Sequence, residues 1–439
     1  MTMRRGAAAV TLALLMIGPT AALAQSQPVL DDLQWLDADA AVSALSSLPR
    51  RHLKIESEGG RASVLVTLGE LAFRSPRILG GEARRLGISC QTCHPKGGAN
   101  AAFSLPGVSD RPGNVDVTHR LFNTAADDGL SNQINIPSLR GIARTAPYGH
   151  DGRSASLRDF VRAVIVTEFS GAEPPGWLMD ALEAYLRQLA FLPAPELGAD
   201  GRVVPSAGAA ALRGEAIFRR GFPGRPEMSC AVCHRPGTAF VDGLSHDIGS
   251  GGTFDTPTLL NLADSAPYFH DGRYTSLAEV LVHFDRVYGL QLTTDEERDL
   301  VVYLETVGAV RQAREPAGLS DDLEAVQRFF GVVRWAAGNE DAAVGGFAAQ
   351  SLRRELGRIY QRLPQESGGE LRHALRELSS ALNRLAVMFE SGDFVAARAG
   401  LPQLERTLAR AWGERRRAAE GSLYDETVLQ RSLAPGGRR

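Results

Sequence analysis

Two short stretches carry all of the cysteines of this chain, and this placement constrains the fold more than any other feature. The stretches are "CQTCH" at 90–94 and "CAVCH" at 230–234, and together they contain all four cysteines of a 439-residue chain. A disulfide framework is the usual use of cysteine in an exported protein. Two copies of one C-x-x-C-H pattern that use every cysteine point instead to a duplicated cofactor site.

C-x-x-C-H is the attachment signature of c-type haem. Two thiols at this spacing add to the two vinyl groups of the porphyrin, and the next residue offers an imidazole to the iron from the same turn. A zinc site is an alternative, but the knuckles lie farther apart than in zinc ribbons; a thioredoxin-like redox pair would need a βαβ context, which is missing. We therefore predict two covalent haems. The predicted thioether links are Cys90, Cys93, Cys230 and Cys233, and the predicted iron ligands are His94 and His234.

A second repeat divides the chain into two parallel halves. The octapeptide "APYGHDGR" at 146–153 returns as "APYFHDGR" at 266–273, and each copy is followed by apolar residues at helical spacing. Ser156 and Ser276 stand where the N-caps of these helices belong. Helices around a C-x-x-C-H turn are typical of cytochrome c, so we predict a mainly α fold with two cytochrome c-like haem domains. Their predicted bounds are 25–192 and 205–316.

The last third of the chain has a different pattern. Leucines recur on one face of successive helical runs, which begin near residues 320, 343, 368 and 393. Short breaks between such runs favour antiparallel neighbours, and we predict a C-terminal helical bundle over 317–428 followed by a disordered tail over 429–439. The bundle is interpreted either as a docking module for a redox partner or as a structural cap on the haem domains.

The first residues have the pattern of a secretory signal. A basic start precedes a short apolar run that ends in a small-x-small cleavage site at Ala24, so residues 1–24 are predicted to be removed. An uncleaved anchor helix is the alternative, although Gly18 and Pro19 interrupt the run. The later sequence contains no segment typical of a membrane span, and the predicted location is the periplasm. A net charge of −3 gives no indication of nucleic-acid binding.

The combination of motifs resembles the bacterial dihaem cytochrome c peroxidase and MauG family. The resemblance rests on two C-x-x-C-H sites, each followed by "PSLR" or "PTLL" and then by an "APYxHDGR" octapeptide. It covers about residues 65 to 310. It implies reduction of hydrogen peroxide with electrons from a small cytochrome c or cupredoxin, or MauG-like oxidation of a protein residue. A non-enzymatic electron-transfer cytochrome remains the alternative.

The resemblance also implies roles for individual residues. In the family the peroxide haem is usually the first, and a glutamate downstream of the first octapeptide acts there as acid and base; Glu168 matches it. Many members hold a calcium ion between the two domains. The matching ligands here are the side chain of Asn135 and the main-chain oxygens of Ser265 and Pro267.

Two positions depart from the family pattern. His150 stands where members commonly have a tryptophan between the haems, so it is a candidate for the electron path. Phe284 stands where the second haem commonly receives its sixth ligand, and a phenyl ring cannot bind iron. His283, beside it, is one alternative ligand; His119, His246 and Met179 are other candidates for an axial position.

Overall fold

The computed structural model describes residues 35–36, 63–310, 318–364 and 369–433. The predicted signal segment 1–24 lies outside the described residues, as do most of 25–62 and the end of the predicted tail. The described chain is mainly helical, with two short antiparallel ribbons, which confirms the mainly α part of the predicted fold class. None of its helices is both long and apolar enough to cross a lipid bilayer.

The first half is a set of helices around the first C-x-x-C-H turn. Ser63 begins the first helix by accepting a hydrogen bond from the Val66 N–H at 3.2 Å. One two-stranded ribbon lies between the cysteine turn and the octapeptide, in the register Asn114 with Asn135. The elements are α1 Val64–Phe73, α2 Gly81–Arg85, α3 Cys90–Cys93, β1 Asn114–Val115, β2 Ile134–Asn135, α4 Leu157–Ala163 and α5 Gly176–Gln188.

The second half repeats this order with different lengths and, among its described residues, without a counterpart of α2. Its ribbon pairs Ser245 with Asp255, the positions that correspond to Asn114 and Asn135. The elements are α6 Ala209–Arg219, α7 Cys230–Cys233, β3 Ser245–Asp247, β4 Thr253–Asp255, α8 Leu277–Tyr288 and α9 Thr294–Gly308.

One packing contact is built in the same way in both halves. Helix α1 meets α5 at Gly69, where a Cβ atom would lie 1.9 Å from the Ala181 carbonyl oxygen. In the same way α6 meets α9 at Gly214, where a Cβ atom would lie 2.1 Å from the Asp299 carbonyl oxygen. Only glycine permits backbones to approach so closely. The repeat seen in the sequence is therefore also a repeat in packing.

Four long helices and one short helix follow, and the first four overlap the predicted helical runs. They are α10 Leu319–Gly338, α11 Ala342–Arg362, α12 Gly369–Glu390, α13 Phe394–Ala419 and α14 Glu426–Leu433. The predicted start of a disordered tail at 429 is wrong, because Asp425 accepts the N–H of Thr427 at 2.9 Å and begins α14. Leu429 in this helix is 6% exposed, so apolar burial holds the segment in place.

The C-terminal helices share a core with the first half. Leu68, Leu71 and Ala181 belong to the same apolar cluster as the inner faces of α10 to α13. Arg74, directly after α1, lies 2.6 Å from a Glu355 carboxylate oxygen of α11 and 3.5 Å from Asp322 of α10. This joint core and ion network support the structural-cap interpretation of the C-terminal helices.

Candidate haem centres and the junction between the halves

Each C-x-x-C pair forms a single helical turn. The turns are α3 and α7, and in each the histidine that follows is the first residue after the helix. Ser89 stabilises the start of α3 by donating its N–H to Thr92 Oγ1 at 3.0 Å. Such a turn places both thiols and the imidazole near one another, and the four thiols are free of disulfides. This donor set fits covalent haem.

Each of the two candidate iron ligands has one ring nitrogen in a hydrogen bond to a main-chain carbonyl. Nδ1 of His94 lies 2.9 Å from the carbonyl oxygen of Pro137, and Nδ1 of His234 lies 3.2 Å from that of Phe240. A proton donated from Nδ1 to a carbonyl leaves the lone pair of Nε2 available for a metal, the usual arrangement of a ligating histidine. Burial lowers the pKa of His94 to about 4 and also lowers that of His234, so both imidazoles are neutral near pH 7.

The octapeptides close equivalent loops. Tyr148 donates its N–H to the carbonyl of Ser154, and Tyr268 does the same to Tyr274, both at 2.7 Å. The helices that follow begin at the predicted N-caps, where Ser156 accepts from the Asp159 N–H and Ser276 from the Glu279 N–H. Within each loop the aspartate and arginine form an ion pair. These two residue types therefore hold the turn.

Glu168 lies at the end of a wide helical turn, Val164–Glu168, that continues α4 with π-type geometry. Such turns are often found at functional sites. The Glu168 side chain is only 16% exposed, and Arg153 donates to its Oε1 at 2.6 Å. Burial raises the pKa of Glu168, and the positive charge of Arg153 acts against this rise. A buried carboxyl with a raised pKa suits acid and base chemistry.

Arg153 is the residue of this site that the sequence did not single out. Its guanidinium also bonds Asp151 at 3.0 Å and lies 5.1 Å from the centre of the Phe160 ring. The octapeptide repeat identified Arg153 as part of a turn, but only the fold brings it to Glu168. Its counterpart Arg273 donates instead to the carbonyl of Ser250 at 2.8 Å.

His150 lies at the junction of the two halves. Its Nε2 is 2.8 Å from the carbonyl oxygen of Asn135, and its own carbonyl accepts the N–H of Asp255 at 2.8 Å. Burial lowers the pKa of His150, and the hydrogen bond to Asn135 offsets part of the effect. The resemblance to the family implied a position between the two haems for this residue, and its role in electron transfer stays a prediction.

Two of the three predicted calcium ligands are in contact. The amide Nδ2 of Asn135 donates to the carbonyl oxygen of Pro267 at 2.7 Å, while its Oδ1 is buried with no hydrogen-bond partner among the described residues. Ser265 instead bonds Asn261 and Leu262 within its own half. An amide oxygen without a partner beside a carbonyl fits a hard cation, which prefers oxygen ligands.

His283 is buried, and both of its ring nitrogens have partners. Nδ1 lies 3.0 Å from the Tyr274 hydroxyl, and Nε2 lies 2.7 Å from the Ile248 carbonyl oxygen. An imidazole with both nitrogens engaged has no lone pair left for iron, so His283 is structural here. Phe284 packs against Phe269 and Tyr288 in an aromatic cluster.

Replacing His283 with Leu should leave the ligation of both haems unchanged. It should also destabilise the fold by about 1–3 kcal/mol, because the Ile248 carbonyl loses its donor inside the protein. Denaturant unfolding measures the stability, and the visible spectrum reports the ligation. Tyr274→Phe, which removes only one of the two bonds, should cost less. A changed spin state at either haem would contradict the structural role.

The other axial candidates have structural contacts of their own. Met179 is 4% exposed within the apolar core of the first half. His246 bonds the Asp242 carboxylate at 2.8 Å through Nε2, and Nδ1 of His119 accepts the Leu121 N–H at 3.1 Å. These contacts account for all three residues without an iron.

Several known proteins are similar in sequence to this chain. A family profile described as di-haem cytochrome c peroxidase matches residues 214–297. The methylamine utilization protein MauG of Methylorubrum extorquens is 28% identical over 336 residues, which are 64% of this chain and 89% of that protein. The gamma subunit of hydrazine synthase from Kuenenia stuttgartiensis is 23% identical over 322 residues, or 60% of this chain and 82% of that subunit.

Two solved structures are distant likenesses. Kuenenia stuttgartiensis hydrazine synthase aligns with a TM-score of 0.41 at 20% identity, over 69% of this chain and 100% of that one. A MauG-like protein associated with microbial copper homeostasis aligns with a TM-score of 0.38 at 17% identity, over 59% of this chain and 94% of that one.

The resemblance expected from the motifs is thus confirmed by the family profile and by the MauG proteins. A second MauG, from Methylophilus methylotrophus, is 23% identical over 286 residues, which cover 55% of this chain and 81% of that protein. The sequence comparisons therefore support the dihaem cytochrome c peroxidase and MauG family for this chain.

Proposed function

We propose that this chain is a periplasmic dihaem oxidoreductase that reduces hydrogen peroxide in its first half, with electrons supplied by a small redox protein. The observation that carries the proposal is an asymmetry between the halves. Glu168 lies 18 residues after His150, whereas 18 residues after His270 the chain has Tyr288. A buried carboxyl beside the first octapeptide, without an acidic counterpart in the second, supports proton transfer in the first half alone.

A haem held by Cys90, Cys93 and His94 would supply the redox chemistry for the reaction with peroxide. Cleavage of the O–O bond also needs a group that takes a proton from one oxygen and returns it to the other. The carboxylate of Glu168 can accept this proton at an oxygen atom, and Arg153 holds the same group in place through its bond to Oε1. Reduction of peroxide to two waters consumes two protons and two electrons, and the donor protein provides the electrons.

The remaining residues fit supporting roles. Each Cys pair would hold its haem through two thioether links, with His94 and His234 as ligands of the two irons. A calcium ion beside Asn135 and Pro267 would join the halves where the amide oxygen lacks a partner. The resemblance to MauG-like enzymes implies a second use of the same oxidising power, namely oxidation of a residue of a partner protein.

Electron paramagnetic resonance at several reduction levels, followed by peroxide addition, tests the proposal. We expect a high-spin ferric signal in the resting or half-reduced protein and its rapid loss with peroxide. Two irons that stay low-spin at every reduction level and ignore peroxide would instead identify an electron-transfer cytochrome. Turnover of peroxide only in the presence of a protein substrate would favour the MauG-like use.

A further inference from the structure

The two halves meet through a reciprocal set of main-chain contacts. From residue 135 to residue 153 each position has its counterpart 120 residues later, so that Asn135 corresponds to Asp255 and His150 to His270. The N–H of Asn135 donates to the carbonyl of His270 at 2.7 Å, and the N–H of Asp255 donates to that of His150 at 2.8 Å. The junction therefore has two equivalent corners, one around Asn135 and one around Asp255.

Side-chain contacts follow the same symmetry. Asn114, the ribbon partner of Asn135, donates Nδ2 to the Asp271 carbonyl at 3.3 Å; Ser245, the partner of Asp255, donates Oγ to the Asp151 carbonyl at 3.1 Å. The Asp255 corner is thus assembled by the same kind of contact as the Asn135 corner.

A glycine marks the equivalent position in each corner. A Cβ atom on Gly272 would lie 3.0 Å from the Pro267 ring and 3.7 Å from Asn135 Oδ1. A Cβ atom on Gly152 would lie 3.1 Å from the Pro147 ring and 3.6 Å from Asp255 Cβ. The Cβ of Asp255 and the Pro147 ring therefore both lie beside Gly152, as Oδ1 of Asn135 and the Pro267 ring lie beside Gly272.

The two corners differ in their chemistry. The amide of Asn135 can donate to the Pro267 carbonyl, whereas an ionised carboxylate at position 255 has only acceptors and cannot make the corresponding bond to Pro147. Oδ1 of Asp255 is inaccessible to solvent and has no hydrogen-bond partner among the described residues.

The surroundings of Asp255 add negative charge. The Asp242 side chain nearby is 3% exposed and carries a second carboxylate, which His246 contacts at 2.8 Å. Burial, and then the charge of Asp242, raise the pKa of Asp255 to about 7. The Thr256 N–H and the charge of His246 act against this rise, and a bound cation would favour the ionised carboxylate further.

We infer that Asp255 is the centre of a second cation site at the junction, completed by main-chain oxygen such as the Pro147 carbonyl, and that it takes a hard divalent cation of the calcium type. Carboxylate and carbonyl oxygens are the ligands that calcium prefers. The Asp255 carboxylate also carries a negative charge, which the neutral amide of Asn135 does not. The site does not depend on the peroxidase function or on calcium at Asn135.

Calcium titration of the chelator-treated holoprotein tests the inference. Isothermal calorimetry with Ca²⁺ and elemental analysis after desalting should show one more bound calcium per chain in the wild type than in Asp255→Asn, or binding at this site weakened by at least about tenfold. Asp255→Ser should lose the same calcium ion. Serine is smaller than asparagine and carries no amide, so this variant separates the loss of the charge from the introduction of an amide. Asp247→Asn, an exposed carboxylate of the paired strand, is the matched control and should bind like the wild type.

The comparison with Asn135→Ala separates the two corners. This variant should keep the Asp255 calcium whether or not the Asn135 corner binds one, so failure of the predicted Asn135 site leaves the inference standing. Equal calcium content in the wild type and both Asp255 variants would overturn it. So would a wild type that binds no calcium above pH 8, because the Asp255 carboxyl has lost its proton there and is free to bind a cation.

Discussion

Replacing Glu168 with Gln is expected to slow the reaction with hydrogen peroxide by about 10²–10⁴-fold, the usual contribution of a positioned acid and base. Glutamine keeps the size of the side chain and can still accept from Arg153, but it cannot take up a proton. Stopped-flow mixing of the half-reduced protein with peroxide measures the effect. The haem spectra and the reduction potentials should stay unchanged, since the substitution leaves both attachment turns intact.

The matched control is Glu173→Gln, a few residues further along the chain. Glu173 is 59% exposed and pairs with Arg162 much as Glu168 pairs with Arg153, so the change removes the same charge from an ion pair at the surface. It should leave the peroxide rate within about twofold of the wild type, because surface pairs contribute little. Equal rates for Glu168→Gln and the control would remove Glu168 from the mechanism.

Replacing Asp322 with Ala should destabilise the protein by about 3–5 kcal/mol, the range for breaking a buried ion pair by removing one partner. The Asp322 carboxylate lies 2.6 Å from Arg358 and accepts from the Tyr424 hydroxyl at 2.7 Å, and its side chain is 15% exposed. Its loss leaves Arg358 and Arg74 with Glu355 as their remaining carboxylate. Denaturant unfolding measures the change, and Asp295→Ala, which removes an 87% exposed carboxylate, should have little effect.

The same network gives a dependence on pH. The arginines around Asp322 hold its pKa far below the usual value of about 4. A carboxyl whose pKa is depressed by folding stabilises the native state above its unfolded pKa and loses that contribution as the pH falls toward the folded pKa. The stability difference between the wild type and Asp322→Ala should thus be full near pH 6 and shrink below about pH 4. A difference that grows in acid would contradict the assignment.

Local patterns were sufficient for the periodic parts of the fold. The leucine spacing predicted the four C-terminal helices to within a few residues, and the serines before each apolar run proved to be N-caps. The attachment turns also followed from spacing, because two thiols and an imidazole in one pentapeptide leave few alternatives. These features depend on contacts between neighbours in sequence.

Contacts between distant residues could not be predicted in this way. Arg74 meets Glu355 across 281 positions, and nothing around either residue distinguishes it from a solvated charge. His283 was a possible iron ligand until the fold brought Ile248 and Tyr274 to its two nitrogens. No sequence pattern singled out Asp255, and its significance emerges only from the symmetry of the junction.

The reciprocal bonds between the halves have a consequence for their relative motion. Both are main-chain bonds, each linking a ribbon residue of one half to a histidine carbonyl of the other, and together they form a two-point clasp. A rotation of one half about one of these bonds would strain the other bond. The two halves should therefore rotate relative to each other only when both bonds break together. Because side chains take no part in these two bonds, substitutions around each haem site can change its chemistry while the two main-chain bonds between the halves stay in place.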